Sequence, residues 1–194
     1  QHGIDAERVR PTRFLVDSFI SHSANDPRYT VTFLDSYVDK ATGRTVNTYP
    51  DSGSLTNTSS PYIRKYLRPG DNVSDGYGDF YLMRYAEMYL IAAESYASLS
   101  RSPGDAYWHK AIEYVNVLRA RARHSTDGDP SLFPADWDSE TFASNDDLID
   151  AIIWERFIEM SGEGHEWFDT HRRGARWLSR NIAVPANRFY MLDD

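Results

Sequence analysis

Apolar residues recur at helical spacing through the second half of the chain. From Leu82 onward they fall three and four residues apart, which places them on one face of a helix that we expect to end near Ser100. A turn at Pro103-Gly104 separates this helix from a second one, whose apolar face begins at Trp108. Two amphipathic helices joined by a tight turn predict a helical hairpin of the tetratricopeptide type.

A third helix is predicted from about Asn145 to Ser161, after a loop that contains several turn signals. Ser144, followed three residues later by an acid, has the pattern of a capping box, and the apolar positions beyond it keep helical spacing. Gly162 and Gly164 then favour the end of the helix.

Beyond these glycines we expect a short helix that carries Trp167 and Phe168 inward. Gly174 follows two arginines and has the position of a helix C-terminal cap. Residues 175–194 are predicted to be irregular surface chain.

The first part of the chain, residues 1–79, is rich in Ser, Thr, Asn, Asp, Gly and Tyr and has only short apolar runs. Segments 30–37 and 44–49 flank a turn at 40–44 and predict a small β-hairpin. The expected fold is therefore mainly α: a tetratricopeptide-like hairpin and further helices over residues 80–194, with a short helix, long loops and a small β-hairpin before them. Since one helical hairpin leaves its outer faces uncovered, we expect a single domain that is a fragment of a larger protein.

Composition narrows the classes of function. The 194 residues are 41% hydrophobic, which suffices for a core, and carry a formal net charge of −8, which disfavours nucleic acid as a partner. The absence of cysteine excludes disulfides and thiolate chemistry. We find neither a membrane-spanning apolar run nor a leader at Gln1, so any membrane anchor is expected to lie outside this chain.

The most distinctive segment is residues 154–169, which read WERFIEMSGEGHEWFD. Five further blocks precede it in order: PTRFLVDSF at 11–19, DPR at 26–28, KY at 65–66, RYAEMYLIAAE at 84–94 and NVLRARA at 116–122. Together the six blocks resemble the C-terminal portion of the SusD/RagB family of outer-membrane nutrient-binding lipoproteins. Glu166 stands where that family usually carries arginine, which leaves the local ion pairing open.

The resemblance implies a helical protein on the outer face of a Gram-negative outer membrane, held there only by an N-terminal lipid. Such proteins bind oligosaccharides, or in some members peptides, and pass them to a SusC-like TonB-dependent transporter without catalysing a reaction. No cofactor is implied. Because the ligand contacts of the family follow no fixed motif, the resemblance assigns none of them to a position in this sequence.

Aromatic residues are the candidate ligand contacts, because their faces stack on the C–H faces of sugar rings. Aromatic side chains at helical spacing are interpreted as core. Those in turn-rich segments are the better candidates, since recognition is concentrated on loops held by a rigid frame. They are Tyr37, Tyr49, Tyr62, Tyr77 and Trp137.

The polar signature is interpreted as a structural junction of ion pairs. Glu155 and Glu159 share a helical face, and carboxylates fixed by arginine make poor general acids, which disfavours the alternative of a glycoside hydrolase. His165 and Asp169 lie four residues apart without an evident third ligand, so we predict no metal site. The residues assigned to the junction are Arg84, Glu87, Glu94, Asn116, Arg119, Glu155, Arg156, Glu159, Glu163, His165 and Asp169.

Overall fold

A computed structural model describes residues 11–49, 61–66, 81–124 and 133–182 of the chain. The protein is mainly helical, with small sheets in its first half, as predicted. In chain order the described elements are α1 (Arg13–His22), α2 (Arg28–Thr32), β1 (Phe33–Leu34), β2 (Ser36–Val38), β3 (Thr45–Asn47), β4 (Tyr62–Ile63), α3 (Tyr85–Leu99), α4 (Ala106–His124), α5 (Asn145–Met160) and α6 (Glu166–Asn181).

Helices α3 and α4 pack along each other and form the predicted hairpin. Small residues on α3, among them Ala93 and Ala97, are fully buried and allow a close approach of the two backbones. The turn between the helices uses Gly104 at φ 83°, a conformation that suits glycine. At the far end of the hairpin, Leu90 on α3 and Leu118 on α4 pack together with Met160 of α5.

Helix α5 is the centre of the fold. It begins as predicted, with the Ser144 side chain accepting a hydrogen bond from the backbone N–H of Asp147. Every side chain from Ile152 to Met160 is buried. The α3–α4 hairpin covers one side of the helix, and α1, β1 and α6 cover the others.

The first half of the chain contains two small antiparallel sheets. One is the predicted hairpin, in which β2 pairs with β3 and Tyr37 lies opposite Val46. The other joins β1 to β4. The prediction of strand over residues 30–32 was wrong, because these residues belong to α2, where the carboxylate of Asp26 accepts a hydrogen bond from the N–H of Arg28 and stabilises the helix start.

Helix α6 differs from the prediction in two respects. It is kinked at Gly174, where φ is 71°, but continues to Asn181, because Trp177 and Leu178 pack in the core beneath α5. Irregular chain over residues 175–181 was therefore a wrong prediction, and residues 183–194 lie outside the described part.

Trp167 and Phe168 were also predicted wrongly, since they do not point inward. They are 52% and 65% exposed, whereas the next two residues, Asp169 and Thr170, are buried. A helix turns by about 100° per residue, so burying the second pair turns the first pair outward. Arg156 on α5 is buried and needs the Asp169 carboxylate as its partner. Asp169 therefore faces inward, and Trp167 and Phe168 face outward.

Leu90→Ala tests the packing where α3, α4 and α5 meet. Leu90 is fully buried, so the substitution should lower the free energy of unfolding by about 2–5 kcal/mol through lost burial and a residual cavity. Urea unfolding measures the change. Val117→Ala, at a position on α4 that is 43% exposed, is the control and should cost far less; equal losses would contradict the packing described here.

Candidate functional site

A group of charged side chains surrounds the C-terminal half of α5, in the region that the signature segment encodes. We call it the ion-pair cluster. Its carboxylates lie on α5, on the turn after it and on the loop before α2, while its cations come from four separate stretches of chain. The members are Asp26, Arg28, Lys65, Arg84, Arg119, Arg121, Glu155, Glu159 and Glu163.

Glu155 is the deepest acid of the cluster, with a side chain that is 1% exposed. Arg28 donates to one of its oxygens through Nη1 at 2.7 Å, and Arg119 donates to the other through its own Nη1 at 2.6 Å. Arg28 also forms a forked contact with Asp26, which orients the guanidinium. Both oxygens of a fully buried carboxylate are thereby paired, as burial of a charge requires.

Glu159 lies one helical turn further and accepts from three arginines. Its oxygens are 3.1 Å from Arg28 Nη1, 2.6 Å from Arg84 Nη1 and 2.6 Å from Arg121 Nη2. Burial by itself raises the pKa of Glu159, but the charges of Arg28, Arg121 and Arg84 outweigh it and hold that pKa at about 2. Glu159 is therefore a fixed anion at neutral pH.

Glu163 follows the end of α5 and ties it to the sheet. It accepts from Lys65 Nζ at 2.7 Å and from Arg84 Nε at 2.7 Å, while Lys65 also donates to the backbone carbonyl of Glu159. The turn depends on Gly162, which has φ 80°. A Cβ there would lie 2.7 Å from Cγ2 of Ile63 on β4, so only glycine lets the sheet approach this closely.

A second set of ion pairs connects α5 with α3 and α6. Arg156 Nε donates to Asp169 at 2.9 Å, and Arg156 Nη2 lies 3.6 Å from Glu87. Arg172 bridges Asp169 on its own helix and Glu94 on α3, at 2.9 and 2.5 Å. Among the described residues, Arg156 Nη1 has no hydrogen-bond acceptor although it is buried.

Two depressions open beside these charges. One, of about 690 Å³, lies between α3 and α6, and we call it the α3–α6 groove. The other, of about 330 Å³, lies over the ion-pair cluster, where Arg28, Lys65, Arg84 and Arg121 outnumber Glu159 and Glu163. Residues that line the α3–α6 groove include Tyr81, Leu82, Glu87, Arg156, Phe168 and Arg172.

The ion-pair cluster is better suited to holding the surrounding elements in place than to catalysing a reaction. A glycosidase needs one carboxyl group with a raised pKa as its acid. Here the pKa values of Glu159 and Glu163 are lowered, since burial is outweighed by Arg28, Arg84, Arg121 and Lys65. Within the described ranges, no three His, Cys, Asp or Glu side chains converge where a metal ion could be held.

The structure places two of the predicted ligand-binding aromatics side by side. The rings of Tyr37 and Tyr62 lie 6.4 Å apart at an interplanar angle of 68°, and both residues are partly buried. Tyr49 lies elsewhere, against α1: its hydroxyl donates to Asp17 and its ring lies beneath Arg13. Tyr77 is outside the described residues.

Trp137 is built into the helical frame. Its ring meets Phe142 at 4.9 Å and has the Arg119 guanidinium over its face at 5.1 Å. Asn116, another signature residue, exchanges two hydrogen bonds of 2.8 Å with the Trp137 backbone, and Arg119 Nε donates to the carbonyl of Ala135. Asn116 and Arg119 thus fix the loop that leads into α5.

Arg84 and Arg119, which the sequence analysis assigned to the junction, both lie at ion-pair distance from its acids. Sequence reasoning missed Arg28 and Lys65 as partners. Both occur in the short blocks DPR and KY, so the cation that each of these blocks contains was the available signal. Arg172 was missed as well, because the helix carrying it was predicted as a short segment ending at Gly174.

The chain is similar to known proteins over most of its length. The model of the SusD family matches residues 10–187. SusD-like protein P2 of Formosa agariphila is 32% identical over 167 residues, which cover 78% of this chain and 31% of that protein. SusD-like protein P38 of the same organism is 32% identical over 110 residues, which cover 57% of this chain and 20% of that protein. No solved structure matches the chain significantly.

Glu159→Gln tests the ion-pair cluster. Removing the buried charge leaves the buried Arg28 and the partly exposed Arg84 without one of their carboxylates, which should lower the free energy of unfolding at pH 7 by about 3 kcal/mol. The pKa of Glu159 is lower in the folded state, so its stabilisation is present above pH 4.5 and is lost as pH falls towards about 2. The variant should therefore show a shallower loss of stability in acid, measured by urea unfolding across pH.

The control for this variant is Glu113→Gln. It removes an exposed ion pair with Lys110 on α4, where the Glu113 side chain is 63% exposed, and should leave the stability unchanged. Similar losses in the two variants would show that the arginines do not depend on Glu159.

Glu166→Gln should have the opposite effect on stability. Burial raises the pKa of Glu166, whose carboxylate accepts a 3.0 Å hydrogen bond from the N–H of Gly162. A raised folded-state pKa contributes stability below the unfolded value of 4.5 and loses it as pH rises. We expect the variant to melt higher than the native protein at pH 7 and equally at pH 4, whereas Glu140→Gln, at an exposed position, should change neither. A lower melting temperature at pH 7 would contradict the burial of this charge.

Proposed function

The chain belongs to the SusD family, and we propose that it binds oligosaccharide nutrients at the cell surface and delivers them to a TonB-dependent outer-membrane transporter. In this proposal the protein is the receptor of a glycan-uptake system and catalyses no reaction. A lipid anchor holds it on the extracellular face of the outer membrane. None of the described helices is both long and apolar enough to cross a bilayer.

Family membership is the observation that carries this proposal. It supports a nutrient-binding role in glycan uptake, and SusD-like homologues are non-catalytic binding proteins. The chain spans about a third of the length of SusD-like protein P2 and less of P38. The substrate, the transporter and the anchor of the whole protein are therefore parts of the proposal.

The ion-pair cluster supports the absence of catalysis. Glu155 and Glu159 accept from guanidinium groups at 2.6 to 3.1 Å, and these contacts leave neither acid available for proton transfer to a substrate. A receptor needs a rigid frame that positions its recognition loops, and a cluster of this kind provides one.

The pair of rings formed by Tyr37 and Tyr62 is our proposed contact with the glycan. The two rings are held at an angle of 68° to each other, so each ring on its own offers an apolar face on which a pyranose ring can stack. Tyr49, Tyr77 and Trp137 stay predictions, with Trp137 the least suited because Arg119 already occupies a ring face.

Binding without turnover is the test of the proposal. The protein is titrated by isothermal calorimetry with a panel of neutral and charged oligosaccharides, and product formation is followed separately by chromatography. We expect saturable binding of at least one oligosaccharide and no loss of it on long incubation. Consumption of a glycan, or binding of peptides alone, would contradict a glycan receptor.

Substitution of the tyrosine pair locates the contact. Tyr37→Ala and Tyr62→Ala should each weaken glycan binding by up to about tenfold, because each removes a stacking face. Tyr107→Ala is the matched control, since this tyrosine is 48% exposed on α4 and packs against Tyr96. If all three variants bind like the native protein, the tyrosine pair is not the contact.

A further inference from the structure

Helix α3 has a second uncharged face, on the side opposite to the face that packs against α4 and α5. Its residues follow one another at alternating steps of three and four positions, and we call them the α3 seam: Tyr85, Met88, Ala92, Ser95 and Leu99. No acid or base interrupts the seam over the length of the helix, which is about four turns. A helix with apolar side chains on two opposite sides is typical of a protein interior.

The described elements leave the seam open to solvent. Tyr85 and Leu99, at its two ends, are 75% and 57% exposed, and Ser95 between them is exposed as well. The other face of the helix, which includes Leu90 and Ala97, is buried against α4 and α5. An exposed uncharged face of this length is typical of a contact surface.

The acids of α3 lie outside the seam. Glu87 is buried, and Glu94 pairs with Arg172 of α6, so both carboxylates are turned towards the rest of the fold. The outer side of α4 is different, because it carries the exposed ion pair between Lys110 and Glu113. Of the two helices in the hairpin, α3 is therefore the one whose outer side is suited to apolar cover.

Spacing and hydrogen bonding favour another helix as the cover. Alternating steps of three and four residues are the a and d positions of a heptad, which interlock with those of a second helix at a shallow crossing angle. Ala92 and Ser95, in the middle, are small and permit a close approach. The Ser95 hydroxyl already donates to the carbonyl of Ile91 at 2.8 Å, so an apolar cover leaves it paired. A glycan fits less well, because the seam offers few hydrogen-bonding groups to its hydroxyls.

We propose that an amphipathic helix of this protein, encoded outside residues 1–194, packs along the α3 seam. It presents apolar residues of its own a and d positions and completes the burial of α3. The part of SusD-like protein P2 that matches this chain is 31% of that protein, so about two thirds of the relative lies outside the match, which is ample length for such a helix. The proposal does not depend on the identity of the bound nutrient.

Thiol accessibility in the complete product of the gene tests the proposal. The 194 residues contain no cysteine, and Ser95→Cys places a thiol on the seam. Glu113→Cys is the control, on α4, where the native side chain is 63% exposed. Alkylation by iodoacetamide, followed by peptide mass spectrometry, should be about tenfold slower at position 95 than at position 113 in the folded protein, and equally fast in urea. Equal rates in the folded protein, or protection only after an oligosaccharide is added, would overturn the proposal.

Photocrosslinking identifies the cover. The photoreactive residue p-benzoylphenylalanine replaces Tyr85 in the complete gene product, and irradiation is followed by peptide mass spectrometry. We expect a crosslink within one molecule to a peptide outside residues 1–194, and no crosslink to that peptide when the same residue replaces Tyr107, which is 48% exposed on α4. A crosslink to a peptide within residues 1–194, or a species of doubled mass that shows a second copy on the seam, would contradict the proposed helix.

Discussion

The fold depends on placing charged side chains of one helix inside the protein. Helix α5 is buried on all sides over its second half, yet it carries Glu155, Arg156 and Glu159 there. A buried charge without a partner is strongly destabilising, so each must meet an opposite charge from another element. That requirement draws Arg28 of α2, Arg84 before α3 and residues of α4 and α6 against α5. Apolar packing holds these elements, while the ion pairs determine which element lies where.

Such a cluster contributes to specificity more than to net stability. Desolvation offsets much of the attraction between buried charges, and an apolar replacement of similar shape can be equally stable. What the charges provide is discrimination: a rotation of α5 about its axis would turn Glu155 and Glu159 away from their arginines. The second set of ion pairs, around Arg156, is less complete within the described structure, and it borders the α3–α6 groove.

The sequence predicted the local structure well where the apolar residues kept helical spacing over several turns. The end of α3 and the extent of α5 follow from apolar spacing, and the Ser144 cap follows from its pattern with Asp147. The start of α3 was predicted wrongly, because the helix begins at Tyr85 and Leu82, the first residue of the predicted apolar face, is 85% exposed. Spacing could not predict which face of α6 turns inward, because the choice depends on Asp169 reaching Arg156 on another helix. Nor could it show that Arg28 and Lys65 complete the cluster, since their partners are 127 and 98 residues away in the chain. The location of a groove is likewise a tertiary property.

The pairing of Arg28 with Glu155 also has a consequence for biosynthesis. The two residues are separated by 127 positions, and at about 5–20 residues per second the ribosome needs about 6–25 s to pass from one to the other. During that interval Arg28 has Asp26 as a partner but lacks Glu155 and Glu159, and the apolar surfaces that α5 covers are exposed to aggregation. The elements around α5 can thus take their native places only after α5 itself has been synthesised, and until then their apolar surfaces need protection from association.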